Sequence, residues 1–383
     1  MEAYKEELPY AYWLHNIKGV GNKGIRKLLA KGSKPSRLYF MEKKQMLQLY
    51  VETESIFKEE TVYHIIRTRE EWDIKKEYDK MKRKGIDFYP AFHPLYPNSL
   101  REIPDAPWAL YVIGRLPKQD RPVVAVIGAR ECSAYGAHVA KELGKALAGR
   151  GIQVVSGMAR GIDSIAQQSA LKEGEAYGVL GSGVDICYPL GSRNVYENMK
   201  RKGGIISEYP PGTEPKACNF PARNRIISGL SRAVVVVEAK EKSGTLITVD
   251  MALEQGRDVY VVPGRVTDSL SAGCNRLIKQ GADVLCSVEE FIKEVCGKAI
   301  YPIGDGAFGE KEEACKVQLG ALEQMILESL DYYPKTVQAI HDDIKKEAKN
   351  GKPPELKKLM EILIKLEKEG FIQVRGGYYA LKS

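Results

Sequence analysis

The sequence lacks the features of secreted, membrane-spanning and metal-binding chains. No uncharged run approaches the roughly 18 apolar residues that suggest a membrane helix, and the first residues, MEAYKEELPY, contain no stretch typical of a signal peptide. The seven cysteines are odd in number and none is in CxxC spacing, which argues against a disulfide framework and against a zinc site. We therefore expect a cytoplasmic protein with no membrane association, metal or cofactor.

Familiar enzyme motifs are missing as well. After the first strand predicted below, the dinucleotide fingerprint G-x-G-x-x-G is replaced by G-A-R-E from Gly128, and no P-loop occurs. Of the five histidines only His138 falls in the region of that predicted sheet, so no Ser–His–Asp or Cys–His arrangement is indicated. The sequence predicts no catalytic residue.

The length and charge suggest a multidomain chain with a weak basic excess. A chain of 383 residues predicts two or three domains. The net charge is +8, of which residues 1–121 contribute +6 and residues 122–293 contribute +3. This excess permits a nucleic-acid partner without requiring one.

The region 122–296 alternates short apolar runs with helical patterns. The predicted strands are 123–128, 152–157, 176–181, 204–208, 233–239 and 258–264. The predicted helices lie near 134–149, 162–173, 192–202, 223–230, 245–256 and 272–281. Continuous apolar strands separated by helices indicate a parallel sheet covered on both faces. We therefore predict an α/β, Rossmann-like doubly wound domain.

The flanking regions differ from this pattern. Residues 1–84 read as helices at 8–14, 24–31, 43–49 and 61–84, with breaks at glycines and at Pro35. Residues 85–121 are a Pro-rich connector expected to pack on the core, and 297–318 read as a linker. In 319–383, helices at 319–331, 336–345 and 355–369 precede a hairpin that turns at Gly376-Gly377. This arrangement predicts a winged-helix-like domain.

Glycines and basic residues follow the predicted strands. Open parallel sheets bind ligands beyond the carboxyl ends of their strands, where glycine turns and helix N-termini accept phosphates. The residues so placed include Arg130, Gly157, Arg160, Gly161, Gly181, Ser182, Gly183, Lys216, Phe220, Arg223, Asn224, Lys242, Ser243, Gly244 and Thr245. Several phosphate-type sites with one aromatic residue suit a polynucleotide strand with a stacked base. Alternatively, the glycines are tight turns, and Asp163, Asp185 and Glu238 are helix caps or ion-pair partners.

The same region resembles a known family. The segments SGMARGIDSIAQ (156–167), GSGVDICYP (181–189), NFPARNRIISGLS (219–231) and AGCNRLIKQGA (272–282) are similar to those of the DNA-processing protein A family (DprA, also called Smf). The resemblance covers about residues 95–295. It implies an extended Rossmann-like domain that binds single-stranded DNA, forms homodimers and loads the RecA recombinase during natural transformation.

The resemblance also implies roles for individual residues. Those expected to line the DNA pocket are Arg130, Lys216, Phe220, Arg223 and Asn224. Those expected to supply close backbone contacts are Gly157, Gly161, Gly181, Ser182 and Gly183. Rim or structural roles are expected for Lys242, Ser243, Gly244, Thr245 and Asn275.

Both ends of the chain leave alternatives open. Residues 16–29 look like a helix-hairpin-helix element, in which Gly19, Gly21 and Lys23 would contact a DNA phosphate; the alternative is a degenerate hairpin used for packing or protein docking. The C-terminal domain has a charge balance of +1 over 311–383, which favours neither DNA nor protein as its partner.

The sequence also leaves two rival functions open and suggests a dimer surface. Rossmann-like nucleotide N-glycosidases carry PGGxGTxxE, but Thr248 stands here where the acidic residue would fall, unless Glu208 or Glu238 substitutes for it. A nucleotide sensor using the same pocket is the other rival. For dimer contact, the expected apolar residues are Leu277, Ile278, Val284 and Leu285.

Overall fold

The structure is a computed structural model that describes residues 3–30, 33–52, 59–296, 320–347 and 354–382. The chain divides into two compact units, Met1–Glu131 with Ala140–Tyr301 and Cys132–Val139 with Pro302–Ser383. The linker predicted at 297–318 lies outside the described residues. The domain boundaries drawn from the sequence therefore stay a prediction.

Six helices form the N-terminal part of the first unit. They are α1 (Ala3–Asn16), α2 (Gly21–Leu29), α3 (Pro35–Phe40), α4 (Lys43–Glu52), α5 (Glu59–Glu71) and α6 (Ile74–Arg83). Pro35 begins a helix instead of breaking one, since proline is favoured in a first helical turn. The pattern over 61–84 is two helices, because Asp73 caps α6 by accepting a hydrogen bond from the Lys76 N–H at 3.0 Å.

A nine-stranded mixed sheet is the centre of this unit. Its strands are β1 (Ile86–Pro90), β2 (Ala109–Gly114), β3 (Val123–Ile127), β4 (Gln153–Ser156), β5 (Ala176–Val179), β6 (Gly204–Ser207), β7 (Ala233–Val236), β8 (Asp258–Val261) and β9 (Asp283–Val284). Their order is β1-β2-β6-β5-β4-β3-β7-β8-β9. The strands from β3 to β9 pair in parallel, as predicted. The region 85–121 adds β1 and β2, an antiparallel edge that the sequence analysis did not predict.

Eight helices follow the strands and complete the α/β fold. They are α7 (Asn98–Arg101), α8 (Ala134–Gly149), α9 (Ile162–Glu173), α10 (Arg193–Lys202), α11 (Asn219–Leu230), α12 (Gly244–Glu254), α13 (Ala272–Lys279) and α14 (Val288–Cys296). Strands β4 to β6 lie on one side of β3, and β7 to β9 lie on the other. The chain therefore reverses direction across the sheet between β3 and β7, which is where doubly wound sheets open a ligand crevice.

The N-terminal helices dock on β2 through a partly buried polar contact. His15 Nδ1 lies 3.0 Å from the hydroxyl of Tyr111, which also accepts a hydrogen bond from Asn16 Nδ2 at 2.9 Å. The His15 ring stacks on Trp108, with 6.0 Å between the ring centroids. Burial lowers the pKa of His15 to about 4, so the ring is neutral in the folded protein at neutral pH.

The dimer contact expected from the sequence stays a prediction, and two of its four residues are buried within the single chain. Leu277 and Leu285 are each only 8% exposed within the single chain. Leu277 packs in the main hydrophobic core, and Ile278 packs against that core. Leu277 and Leu285 therefore stabilise the chain itself, whereas Ile278 and Val284 are half-buried.

The second unit contains helices α15 (Ala321–Ser329), α16 (Val337–Glu347) and α17 (Leu356–Lys368) and a three-stranded sheet of β10 (Lys335–Thr336), β11 (Ile372–Arg375) and β12 (Tyr378–Leu381). The hairpin turns at Gly376 and Gly377, which both have positive φ, as a two-residue turn requires. Its own core includes Ile326, Ile340 and Leu363. None of the described helices has the length and apolar composition needed to cross a bilayer.

Candidate nucleic-acid interface

A cavity of about 970 Å³ opens at the carboxyl ends of β3, β4 and β7, and we call it the edge pocket. It lies at the reversal point of the sheet, where the topology predicts a ligand site. Nine of the predicted site residues line it: Arg130, Arg160, Phe220, Arg223, Asn224, Lys242, Ser243, Gly244 and Thr245. The charged lining residues are five cations and two carboxylates: Arg130, Arg160, Arg223, Lys240 and Lys242, with Glu131 and Asp163. The pocket therefore favours an anion.

The N-terminus of α12 forms one wall. Ser243 caps the helix, accepting a hydrogen bond from the Thr245 N–H at 3.2 Å, and the Thr245 hydroxyl donates to the Gly128 carbonyl at 3.2 Å. These bonds fix the first turn of α12 against the end of β3. The exposed Lys240 and Lys242 directly precede it. A helix N-terminus beside two lysines suits a phosphate group.

The two arginines that the resemblance placed in the pocket have different environments. Arg223 is 6% exposed, and its Nη1 donates to the carbonyls of Gly157, at 2.9 Å, and Val179. Burial lowers the pKa of Arg223 to about 10, while the Asp163 carboxylate opposes that change. Arg130 is exposed, and no carboxylate among the described residues forms an ion pair with it. Arg223 thus links the end of β4 to β5, whereas the Arg130 side chain is exposed at the pocket.

Asp163 has a structural role in the same wall. It is 7% exposed and accepts a hydrogen bond from the Gly157 N–H at 3.0 Å. Burial raises the pKa of Asp163, against the effect of the nearby Arg223 charge. A Cβ at Gly157 would lie 2.8 Å from Arg223 Nη2, so the glycine allows the guanidinium to approach. Gly157 therefore leaves the space that the Arg223 guanidinium occupies beside the pocket.

Phe220 is one half of an aromatic pair. Its ring stacks on Tyr188 with centroids 5.6 Å apart and 28° between the planes, and the Arg223 guanidinium carbon lies 5.9 Å from the Phe220 centroid. A Cβ at Gly181 would be 3.0 Å from Phe220 Cδ1, so Gly181 makes room for the ring. Tyr188 lines the pocket and is 45% exposed. Tyr188 therefore exposes more ring surface than Phe220, which is already contacted by Tyr188, Arg223 and Gly181.

Tyr188 and Lys240 line the pocket, although neither is among the site residues predicted from the sequence. Lys240 directly follows the fifth predicted strand, so its position after that strand was a usable signal. Tyr188 stands well beyond the end of β5, in the motif GSGVDICYP that had been recognised. Its proximity to Phe220 depends on how the loop folds back, which no local pattern indicates.

Seven predicted residues lie outside the lining of the edge pocket: Gly157, Gly161, Gly181, Ser182, Gly183, Lys216 and Asn275. Gly161, with φ +85°, packs directly against the backbone of Ala129 and Arg130. Ser182 is buried, and its carbonyl accepts a hydrogen bond from the Ser207 hydroxyl at 2.6 Å. These residues shape the loops around the pocket.

The remaining three have separate positions. Gly183 packs closely on the Asp185 side chain and the Gly212 backbone. Lys216 is exposed on the loop before α11. Asn275 exchanges two hydrogen bonds with the Gly264 backbone, at 3.1 and 3.3 Å, and so clamps the loop after β8. Of the rim or structural roles expected for Asn275, the contacts favour the structural one.

The carboxylates that the glycosidase alternative needs are not placed to react. Glu208 is buried and pairs with Arg225 through two contacts of 2.6 and 3.0 Å. Glu238 is buried and does not line the edge pocket. Within the pocket, Glu131 pairs with Arg160 and Asp163 is held by the backbone. In the glycosidase alternative, Glu208 and Glu238 would therefore have to act from outside the lining of the edge pocket.

The N-terminal hairpin is anchored to the sheet by Asn22. Its Nδ2 donates to Glu208 Oε2 at 2.9 Å, and its Oδ1 accepts from the Trp108 N–H at 3.2 Å. Gly19 and Gly21 have positive φ and, with Lys23, lie on the surface. Glu208 directly follows β6, so the hairpin lies near the same edge of the sheet as the pocket. Direct DNA contact by the hairpin stays a prediction.

Comparison with known proteins agrees with the recognised motifs. Residues 88–296, more than half of the chain, match the family described as DNA recombination-mediator protein A. The chain belongs to this family. It is 40% identical over 225 residues to the DNA processing protein DprA of Streptococcus pneumoniae, covering 58% of this chain and 77% of that protein. Against DprA of Bacillus subtilis the identity is 38% over 232 residues, covering 58% and 78%.

Two solved structures are similar to the chain. The X-ray structure of DprA from Streptococcus pneumoniae has a TM-score of 0.57 at 33% identity and covers 72% of this chain and 98% of that one. A DprA structure from Helicobacter pylori, described as giving insight into that protein's single-stranded DNA binding mode, has a TM-score of 0.52 at 29% identity, covering 56% and 97%. The Rossmann-like fold predicted from the sequence is confirmed, and the family supports a role in DNA processing and recombination mediation.

Proposed function

We propose that the edge pocket binds the backbone and one base of single-stranded DNA, and that the protein is a non-enzymatic mediator that protects incoming DNA and loads RecA. The observation that carries the proposal is the clustering of five cations and two stacked rings at the reversal point of the sheet. Backbone cations with an aromatic platform are the combination by which proteins hold single strands without reading sequence.

In this proposal the phosphates and the base occupy different walls. One phosphate lies at the N-terminus of α12, between Lys242 and Arg130. A base stacks on the Tyr188–Phe220 pair, which Gly181 and Arg223 hold in place. The exposed Lys216 continues the path along the sheet edge, and Gly19, Gly21 and Lys23 extend it to the N-terminal hairpin.

The first experiment compares single-stranded and duplex DNA by fluorescence anisotropy over a range of salt concentrations. We expect tighter binding of a thymidine oligonucleotide than of the duplex, and affinity that falls steeply with salt because counterions are released from the phosphates. Equal affinity for both forms, or binding that does not depend on salt, would argue against the proposal.

RecA loading needs its own measurement. RecA assembly on single-stranded DNA coated with single-strand binding protein should start sooner when this protein is present, and an Arg130→Glu variant should lose the effect. If assembly is no faster with the wild-type protein, the mediator role fails even where DNA binding holds. The homodimer and the cytoplasmic location belong to the same proposal, and light scattering of the purified chain tests the dimer.

A further inference from the structure

A second cavity, of about 770 Å³, lies on the N-terminal helices between α1, α3 and α6, and we call it the acidic groove. Its walls contain four half-buried aromatic residues, Tyr10, Tyr39, Trp72 and Tyr78. Tyr10 packs on Tyr39 with centroids 5.4 Å apart. Tyr12 packs against Trp72 and Tyr78 at 6.2 and 5.8 Å. These contacts hold the rings in place, so the walls are already formed without a partner.

The charge of this groove is opposite to that of the chain as a whole. Four carboxylates line it, Glu6, Glu7, Asp73 and Asp79, with one cation, Lys75. Glu7 accepts hydrogen bonds from Ser36, and Asp73 caps α6. Glu6 and Asp79 are exposed, and among the described residues no cation lies within ion-pair distance of either. Two carboxylates therefore remain available beside aromatic walls.

We propose that the acidic groove docks a basic peptide segment of a partner protein, with an arginine or lysine side chain against the rings and its charge facing Glu6 and Asp79. The ring faces attract cations, and the carboxylates repel the phosphates of nucleic acid. The volume falls within the range of sites that take ligands larger than one side chain, so several residues of the partner enter. The proposal is independent of DNA binding in the edge pocket.

The test uses the full chain labelled with 5-fluorotryptophan and followed by fluorine NMR. The three tryptophans give three resonances: Trp13 and Trp108 are buried, whereas Trp72 lines the groove, and a Trp72→Phe variant assigns its signal. The probe is an octapeptide of alternating arginine and glycine, with a glutamate-for-arginine peptide as control. We expect the arginine peptide to shift the Trp72 signal alone and the glutamate peptide to shift none.

A double variant, Glu6→Gln with Asp79→Asn, tests the charge component. Its affinity for the arginine peptide should fall about threefold to tenfold, since two exposed ion pairs are lost, while its affinity for single-stranded DNA should not change. An unmoved Trp72 signal, equal responses to both peptides, or undiminished affinity of the double variant would overturn the proposal. So would a Trp72 shift that depends on protein concentration alone, because a second copy of the chain would then be the occupant.

Discussion

The edge pocket and the acidic groove are both aromatic cavities, but they carry opposite charge. The edge pocket combines five cations and two carboxylates with the stacked Tyr188 and Phe220. The acidic groove combines four carboxylates and one cation with four rings. Since both offer ring surface, the charge around the rings decides whether the ligand is a phosphate strand or a basic segment. The modest net charge of +8 conceals this division.

The two cavities also differ in construction. The edge pocket is made by loops at strand ends and a helix N-terminus, so backbone groups take part in it. The acidic groove lies between α1, α3 and α6 and includes Trp72 and Asp73, which directly precede α6. The main difference from the edge pocket is therefore the sign of the charge. Four predictions test this contrast, in order of expected effect.

The largest effect is expected inside the edge pocket, where Arg223 and Arg130 should act differently. Arg223→Ala should lower the free energy of unfolding by about 3 kcal/mol, because two buried carbonyls lose a donor and Asp163 loses a nearby positive charge. Arg130→Ala should change it by less than about 0.5 kcal/mol and still weaken DNA binding. Chemical denaturation of both variants measures this. Similar stabilities would show that Arg223 is a surface cation like Arg130.

The next effect concerns His15, where the helices that carry the acidic groove meet the sheet. Its pKa is about 4 when folded, against about 6.5 in an unfolded chain, so the unfolded state takes up the proton first. The contribution of neutral His15 to the free energy of unfolding is therefore complete above about pH 6.5. It falls towards pH 4, by at most roughly 1.4 kcal/mol per pH unit.

The check is to measure unfolding from pH 7 to pH 4.5 for the wild type and for His15→Gln. The difference in free energy of unfolding between the wild type and the variant should be largest at pH 7. It should shrink on acidification, because glutamine cannot be protonated. Parallel pH profiles would mean that His15 reaches water in the folded protein.

A smaller effect separates the aromatic residues of the two cavities. Tyr188→Ala and Phe220→Ala should each weaken single-stranded DNA binding by about 1–3 kcal/mol, the usual contribution of a stacked base. Trp72→Leu in the acidic groove should leave DNA affinity as it is. Anisotropy titrations of the three variants decide this, and normal binding by Tyr188→Ala would make Phe220 the sole platform.

The smallest effect is in the salt dependence. Arg130→Ala and Lys242→Ala should each lower the slope of log affinity against log salt by about 0.7, the value for one phosphate contact on a single strand. Glu6→Gln should leave the slope unchanged. Titrations at four salt concentrations give the slopes, and a change caused by Glu6→Gln would place DNA near the acidic groove.

The sequence predicted the sheet well because its signal is local. Apolar runs such as 123–128 and 233–239 are each sufficient to indicate a strand, and the rule for strand ends then assembles Arg130, Lys242 and the start of α12 into one site. β1 was missed because proline is tolerated in an edge strand, and β2, the proline-free run ALYVIG between β1 and β6, was grouped with the Pro-rich stretch before it.

What the sequence could not predict depends on burial and on distant contacts. Arg130 and Arg223 both belong to the recognised pattern, yet one is exposed and the other is committed to the Gly157 and Val179 carbonyls. Tyr188 reaches Phe220 through a loop. The acidic groove gathers residues from 6–10, 36–39 and 72–79, and no single window of sequence contains enough of them to suggest a site.

The chain of contacts from Asn22 through Glu208 to Arg225 has a consequence for shortened forms of this protein. Arg225 belongs to α11, the helix that also carries Phe220 and Arg223, and it is held further by Asp105 at 3.2 Å. A chain that began after residue 84 would leave Glu208 with one partner fewer and uncover the surface of β2 on which His15 rests. Weaker DNA binding by such a fragment could therefore have two causes. Either α11 is held less firmly, or DNA contacts made by the N-terminal hairpin are lost. The single substitution Asn22→Ala in the full-length chain separates the two causes.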